Sequence, residues 1–398
     1  MGKDHGLDFA KPAKIGLNAD ALDRLGGALS REISEGRLPG AVALIAREGR
    51  VGYFEAFGKR DPGVGDEMQT DSIFRIYSMT KPIVSVAVMM LVEEGRLTLG
   101  DPLHKFIPAF ADTKVARLQD GGYDLVTPDR PISIHDLLRH TSGLTYGHVS
   151  EGPVQRLYQE ARVDRMDQTN AEQAETLAKL PLVCSPGAAW NYSRSTDILG
   201  RVVEVVAGRN LGEELHDRIF EPLGMVDTGF DAQGVRLSRV AEPFANDPES
   251  GAPVRMINVA RPARFESGGG GLVSTAMDYA RFCAMLAGGG LFGKTRIIGR
   301  KTLELMASDH LEANMSRDSN PDLLQAGHGF GLGFAVRTAI GAAPTAGSVG
   351  SFFWHGIGGT TFWIDPLENL FAVFLTQAPG QRLFSRNLIR NLVYAAVE

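Results

Sequence analysis

Strand-like segments sit at opposite ends of the chain, with helical sequence between them. Near the N-terminus, residues 41–47 and 51–57 are two apolar runs separated by Glu48-Gly49, the pattern of a β-hairpin. Residues 330–338, 348–354, 360–365 and 369–376 are again short, apolar and rich in β-branched and aromatic side chains. A single hairpin is only marginally stable, and an isolated meander leaves two edges to cover. The economical packing joins both ends in one central antiparallel sheet.

The rest supplies the covering layers. Residues 18–35 place Leu22, Leu25, Leu29 and Ile33 at helical spacing behind a capping Asn18. Residues 82–94 are almost wholly apolar and stop at Gly95, which reads as a buried helix. Helices are expected at 134–140, 170–180, 195–207, 211–219 and 385–397. Another runs to Leu286 behind the capping-box pattern Thr275-x-x-Asp278. Residues 243–262 and 309–327 read as polar or proline-rich loops, rims for a site. The expectation is an α+β protein in two parts: 1–96 with 267–398 as the sheet domain, and 97–266 as a mainly helical domain.

Composition narrows the function. The chain has 398 residues and a formal net charge of −6, so it lacks the basic footprint of a nucleic-acid binder. It has two cysteines, Cys184 and Cys283, too few for a disulfide scaffold or a thiolate zinc cluster. The opening Met1-Gly2-Lys3-Asp4-His5-Gly6 starts no apolar run, and Gly6 stands where a myristoylation pattern needs Ser or Thr. The apolar run 83–92 is too short to span a bilayer. A cytoplasmic protein without membrane or nucleic-acid partners is expected.

Three segments carry chemistry. In Ser78-Met79-Thr80-Lys81, a spacing of three puts hydroxyl and amine on one helix face. A serine needs a base to become a nucleophile, and a lysine serves only when desolvation lowers its pKa. The apolar helix that follows supplies that desolvation, and the helix N-terminus adds a positive field beside Ser78. In Trp190-Asn191-Tyr192-Ser193-Arg194, a tyrosine held near that lysine would relay protons, its pKa lowered by the cation. In Trp354-His355-Gly356-Ile357-Gly358-Gly359, small residues after an aromatic strand let backbone approach a ligand closely, so an N–H here can complete an oxyanion hole with that of Ser78. His355 invites a Ser-His pairing, but a lone strand histidine is more often structural. Ser267-Gly268-Gly269-Gly270-Gly271 reads as a tight turn beside the site rather than a phosphate cradle. No Gly-x-Ser-x-Gly or His-Glu-x-x-His pattern occurs.

In this order, the three motifs resemble the serine β-lactamase and penicillin-binding superfamily. The segments 74–82 (Phe-Arg-Ile-Tyr-Ser-Met-Thr-Lys-Pro), 137–144 (Leu-Leu-Arg-His-Thr-Ser-Gly-Leu) and 268–278 strengthen the likeness. The chain is similar to class C β-lactamases and, more closely, to family VIII carboxylesterases. The resemblance implies a β-lactamase/transpeptidase-like fold. It implies Ser78 as nucleophile, Lys81 and Tyr192 as base network, and the backbone N–H groups of Ser78 and Ile357 as oxyanion hole. Trp354, His355 and Gly356 are the expected substrate-binding residues, with no metal or cofactor. Two departures bear on substrate. Arg194 replaces the Asn of a Tyr-x-Asn motif, and Trp354-His355-Gly356 replaces Lys-Thr-Gly, removing a cation that would pair a substrate carboxylate. Both point to small neutral esters and a serine carboxylesterase, with weak β-lactam hydrolysis following from the same acyl chemistry. The alternatives are acyl transfer to an alcohol, a β-lactamase or D-amino-acid peptidase, and a binding protein that stays acylated.

Overall fold

A computed structural model describes residues 6–119, 122–148, 151–313, 315–317 and 323–398. Residues 1–5, read above for a leader, lie outside this set, as do positions 314 and 318–322 of the polar loop. The strands of the main sheet are Asp8–Phe9 (β1), Gly40–Arg47 (β2), Arg50–Asp61 (β3), Asp66–Glu67 (β4), His328–Phe330 (β5), Ala335–Arg337 (β6), Phe352–His355 (β7), Thr361–Asp365 (β8) and Leu370–Thr376 (β9). Their order is β1-β3-β2-β9-β8-β7-β6-β5, with β4 pairing β3. The two ends of the chain meet at β2 and β9, where Leu370 faces Arg47 and Thr376 faces Ala41. The sheet is mixed rather than antiparallel throughout, because β1 runs parallel to β3. A two-residue strand is too short to show a periodic pattern.

The main helices are Ala19–Ser34 (α1), Thr80–Glu93 (α2), Ser195–Ala207 (α3), Ala276–Ala287 (α4) and Arg382–Tyr394 (α5). Both sheet faces are buried, which is why the strands read as continuous apolar runs. Ala41, Ala43 and Ile45 of β2 and Leu370, Ala372 and Phe374 of β9 face α1 and α5, packing with Leu22, Leu25, Leu29, Ile389 and Val393. The intervening Val42, Leu44, Phe371, Val373 and Leu375 join the opposite core, with Tyr279, Phe282 and Cys283 of α4 and the apolar residues of α2. A one-residue slip of β9 on β2 would exchange these faces, so the register is strongly specified. The Asn18 side chain caps α1, accepting from the Ala21 N–H at 3.0 Å. Thr275 does the same for α4, accepting from the Asp278 N–H at 3.2 Å.

Three local readings are corrected. The run 330–338 is two strands, β5 and β6, folded back on each other. Its turn contains Gly333 at φ 102°, a conformation only glycine adopts readily, while Leu332 and Phe334 stay buried and disguise the turn as strand. Between 97 and 266, an antiparallel hairpin, Val115–Gln119 with Gly122–Val126, accompanies the helices. Leu118 and Leu125 on it are exposed, so no apolar face marked it. The helix expected over 211–219 is α-helical only for Leu211–Leu215 and continues as a π turn, His216–Phe220. Among the described residues, no helix is long and apolar enough to cross a membrane.

Candidate active site

Ser78 is delivered by a strained approach. Phe74–Arg75 pairs with Val273–Ser274, and the chain then turns sharply at Tyr77 before the 3-10 turn Tyr77–Met79 leads into α2. Tyr77 has φ 46°, the left-handed region, which costs of order 1–3 kcal/mol for a non-glycine residue. Its hydroxyl accepts the Ile257 N–H at 3.1 Å, one of the contacts that hold the turn. The half-buried Ser78 thus stands at the N-terminal end of a helix buried from Thr80 to Leu91.

Lys81 lies one turn further on and is 1% exposed. Its Nζ donates to Ser78 Oγ at 3.2 Å, to Tyr146 Oη at 3.1 Å and to the Gly269 carbonyl at 2.5 Å. Burial pushes the amine down to about 7; Asp197 pulls it up and Arg194 pushes it further down. The glycine-rich turn therefore does sit beside the site, and it contributes a carbonyl to the amine. Asp197, at the start of α3, fixes that turn by accepting from Ser267 Oγ at 2.5 Å and from the Gly269 N–H at 2.9 Å.

Tyr192 closes the other side. The Lys81 amine lies over its ring, 4.6 Å from the centroid. Its hydroxyl is hydrogen-bonded to Ser78 and accepts from Trp354 Nε1 at 3.4 Å. Burial pushes the phenol up, opposite to the sequence expectation. The amine faces the ring rather than the hydroxyl, so its field does not offset the loss of water. Tyr192 remains a phenol where Lys81 titrates, which makes Lys81 the group that changes charge.

The segment 137–144 holds Tyr192 in place. Asn191 N–H donates to the His140 carbonyl at 2.8 Å, and Asn191 Nδ2 donates to the Leu144 carbonyl at 2.6 Å. Ser195 Oγ lies 2.8 Å from both Ser142 Oγ and Ser193 Oγ. The His140 ring packs 4.8 Å from that of Tyr192.

Of the third motif, Trp354 is buried, borders the pocket that holds Ser78, and donates its indole N–H to the Tyr192 hydroxyl at 3.4 Å. His355 stacks on Trp354 with centroids 4.8 Å apart, and no hydrogen bond links it to Ser78. Burial and the arginines of α5 push its imidazole down, so it stays neutral. Gly356 is required, because a Cβ there would overlap the Ile76 carbonyl. This close approach brings the 356–359 turn against the Ser78 segment, and Thr360 Oγ1 donates to the same carbonyl at 3.2 Å. Among the described residues, the Ile357 N–H has no acceptor, and Ile357 lines the pocket with Ser78.

That pocket has a volume of about 780 Å³. Its wall includes Arg194, Arg255, Arg382 and Arg386, with Asp164 the one lining carboxylate among the described residues. Arg194 is committed to Asp197 at 3.3 Å and to the Tyr146 ring, 4.7 Å from its centroid. The sequence argument removed one cation from the third motif; the fold brings guanidinium groups from other elements to the same pocket. Sequence reading also missed Tyr146 and Asp197. Tyr146 falls two residues past the 137–144 segment, the only local signal for it.

Comparison with known proteins agrees with this architecture. Residues 20–395 match the Beta-lactamase family, and the chain belongs to it, with the α+β fold of β-lactamases and transpeptidases. Esterase EstB of Burkholderia gladioli is 33% identical over 408 residues, spanning 96% of this chain and 98% of its own. Among solved structures, EstCE1, described as a hydrolase with promiscuous acyltransferase activity, matches with a TM-score of 0.80 at 29% identity, over 94% of this chain and 98% of its own. Unliganded simvastatin synthase LovD from Aspergillus terreus shares the fold, with a TM-score of 0.78 at 23% identity over 95% and 98% of the two chains.

Proposed function

We propose that the protein is a serine carboxylesterase that hydrolyses short-chain esters through an acyl-enzyme on Ser78. The observation that carries this is the Ser78 hydroxyl 3.2 Å from a buried amine titrating at about 7, at the edge of a 780 Å³ pocket. Neutral Lys81 takes the Ser78 proton as Oγ bonds to the ester carbonyl carbon. The Ser78 and Ile357 N–H groups hold the resulting oxyanion. As the carbon–oxygen bond to the alcohol breaks, the Tyr192 hydroxyl gives the leaving oxygen a proton and regains one from Lys81. Water then attacks the acyl carbon, its proton passes to the same amine, and Ser78 Oγ leaves as the hydroxyl. His355 and Gly356 contribute to the substrate wall, while Trp354 positions Tyr192.

The pocket draws residues from both parts of the chain, Tyr146, Tyr192 and Phe265 from 97–266 and Ser78, Ile357 and Arg386 from the remainder. We infer that the two-part division read from the sequence frames the cleft. A cytoplasmic setting is supported by the low cysteine content, two in the chain, with Cys283 a buried thiol. EstB, named an esterase, supports the reaction class. Acyl transfer to an alcohol is the second reading, favoured by the activity described for EstCE1.

The test is hydrolysis of p-nitrophenyl butyrate by the wild type and by folded Ser78→Ala. The variant should lose activity by about 10⁴-fold or more with its Tm unchanged. Retained activity would show that Ser78 is only a helix-terminal residue. Added alcohol that diverts the acyl group to a new ester would favour transfer, and nitrocefin turnover rivalling ester hydrolysis would favour a β-lactamase.

A further inference from the structure

Behind the substrate pocket, α5 packs on β7 and β8 and encloses a second cavity of about 40 Å³. His355 and Arg386 line both spaces and divide them. Four buried nitrogens on residues lining the small cavity lack a hydrogen-bond partner: Trp363 Nε1, Arg386 Nε, Arg390 Nε and His355 Nε2. Trp363 is 1% exposed and Arg390 7%. The Arg390 guanidinium is held between two rings, 4.8 Å from the Phe353 centroid and 5.6 Å from that of Trp363.

The charge is also unbalanced. Among the described residues no carboxylate lines this cavity; Arg390 donates to Ser351 Oγ at 3.3 Å and is hydrogen-bonded to Tyr394, with Asp365 acting on it only at longer range, and Arg386 has no carboxylate beside it. The acid of β8, Asp365, is already engaged by Tyr394 Oη at 2.6 Å and by the Ser348 and Leu367 N–H groups at 3.1 Å. Burial and the neighbouring Arg382 push the Arg386 guanidinium down to about 9, the expected response of a cation without a counter-ion. A guanidinium keeps its charge at any working pH, and a buried unpaired donor is destabilising. Water in the cavity supplies acceptor lone pairs but no charge. A small anion supplies both.

We propose that this cavity binds a small monovalent anion, chloride in the ordinary case, held by the indole N–H of Trp363 and the guanidinium N–H groups of Arg386 and Arg390. A space of about 40 Å³ suits a small inorganic ion. The bound ion would also steady the substrate wall, because Arg386 Nη2 donates to the Gly356 carbonyl at 2.5 Å, next to Ile357. The site stands apart from the chemistry at Ser78.

The experiment uses the full chain. Crystals grown with bromide in place of chloride should show an anomalous peak within hydrogen-bond reach of Trp363 Nε1. In solution, Tm should rise with chloride relative to gluconate at equal ionic strength. Arg390→Met should lose that rise. Trp363→Phe, which keeps the ring and removes one N–H, should shift the chloride midpoint about tenfold. If Arg390→Met fails to fold, Trp363→Phe and the bromide peak decide. Water density in place of bromide, bromide confined to the surface, or a chloride effect unchanged in Trp363→Phe would each overturn the proposal.

Discussion

Two buried sets of cations flank the same pocket, and they are solved in opposite ways. Lys81 is surrounded by acceptors from three elements and titrates near neutrality. Arg386 and Arg390, across the pocket on α5, each keep an Nε donor with no acceptor, and no carboxylate lines the cavity beside them among the described residues. A lysine can answer burial by giving up its proton, and that response is what a general base needs. An arginine cannot, so its burial calls for a partner from outside the chain. The same energetic problem thus underlies the proposed base on one wall and the proposed anion site on the other.

Experiments can sharpen the contrast, beginning with the strongest expected effect. Lys81→Met should lower kcat/KM on p-nitrophenyl butyrate by roughly 10³-fold or more, the range of a lost general base. In the wild type the rate should climb as pH rises through about 7 and level off above it, since only the neutral amine accepts the Ser78 proton. The same shift links to stability. The folded pKa of about 7 lies below the unfolded value of 10.5, so between them the unfolded chain holds the extra proton. Wild-type Tm should therefore gain on that of Lys81→Met as pH rises across this window, and a constant difference would place the amine in water. Tyr192→Phe should reduce kcat by about 10²-fold, with KM little changed. Tyr146→Phe removes one acceptor of the ammonium, so it should cost about tenfold and move the pH midpoint lower. Arg382→Ala is the mildest: about fivefold in KM for an ester bearing a distant carboxylate, and none for the butyrate.

Local relationships were legible in the sequence and distant ones were not. The i, i+3 spacing of Ser78 and Lys81 is fixed by helix geometry, and the apolar run after it foretold the burial that tunes the amine. The joining of the chain ends was legible because a sheet covered on both faces writes long apolar runs. The acceptors of Lys81 were not. Tyr146 and Gly269 reach it across sequence separations of 65 and 188 residues, which no periodicity records. Asp197 reads as an ordinary acid in the first turn of a helix, and only the packing of α3 against the glycine-rich turn reveals what it holds. The nearness of Tyr192 to Lys81 was legible, but the direction of its pKa depended on which part of the ring the amine faces. The hydrogen bond from Trp354 to Tyr192 spans 162 residues, so nothing local in the sequence announces it.

The seam between β2 and β9 has a consequence for how the protein is made. Ser78 and Lys81 leave the ribosome long before residues 352–376 exist, yet Ile357 and the strands that carry it come from that late stretch. Until then β2 has an open edge and Ser78 lacks the Ile357 N–H proposed to share its oxyanion hole. Pairings this distant in sequence give a high contact order and slow closure. The proposed hydrolytic competence is therefore a property that arises late in synthesis: a product stopped before Leu370 keeps Ser78 and Lys81 but has nothing to complete the sheet beneath them.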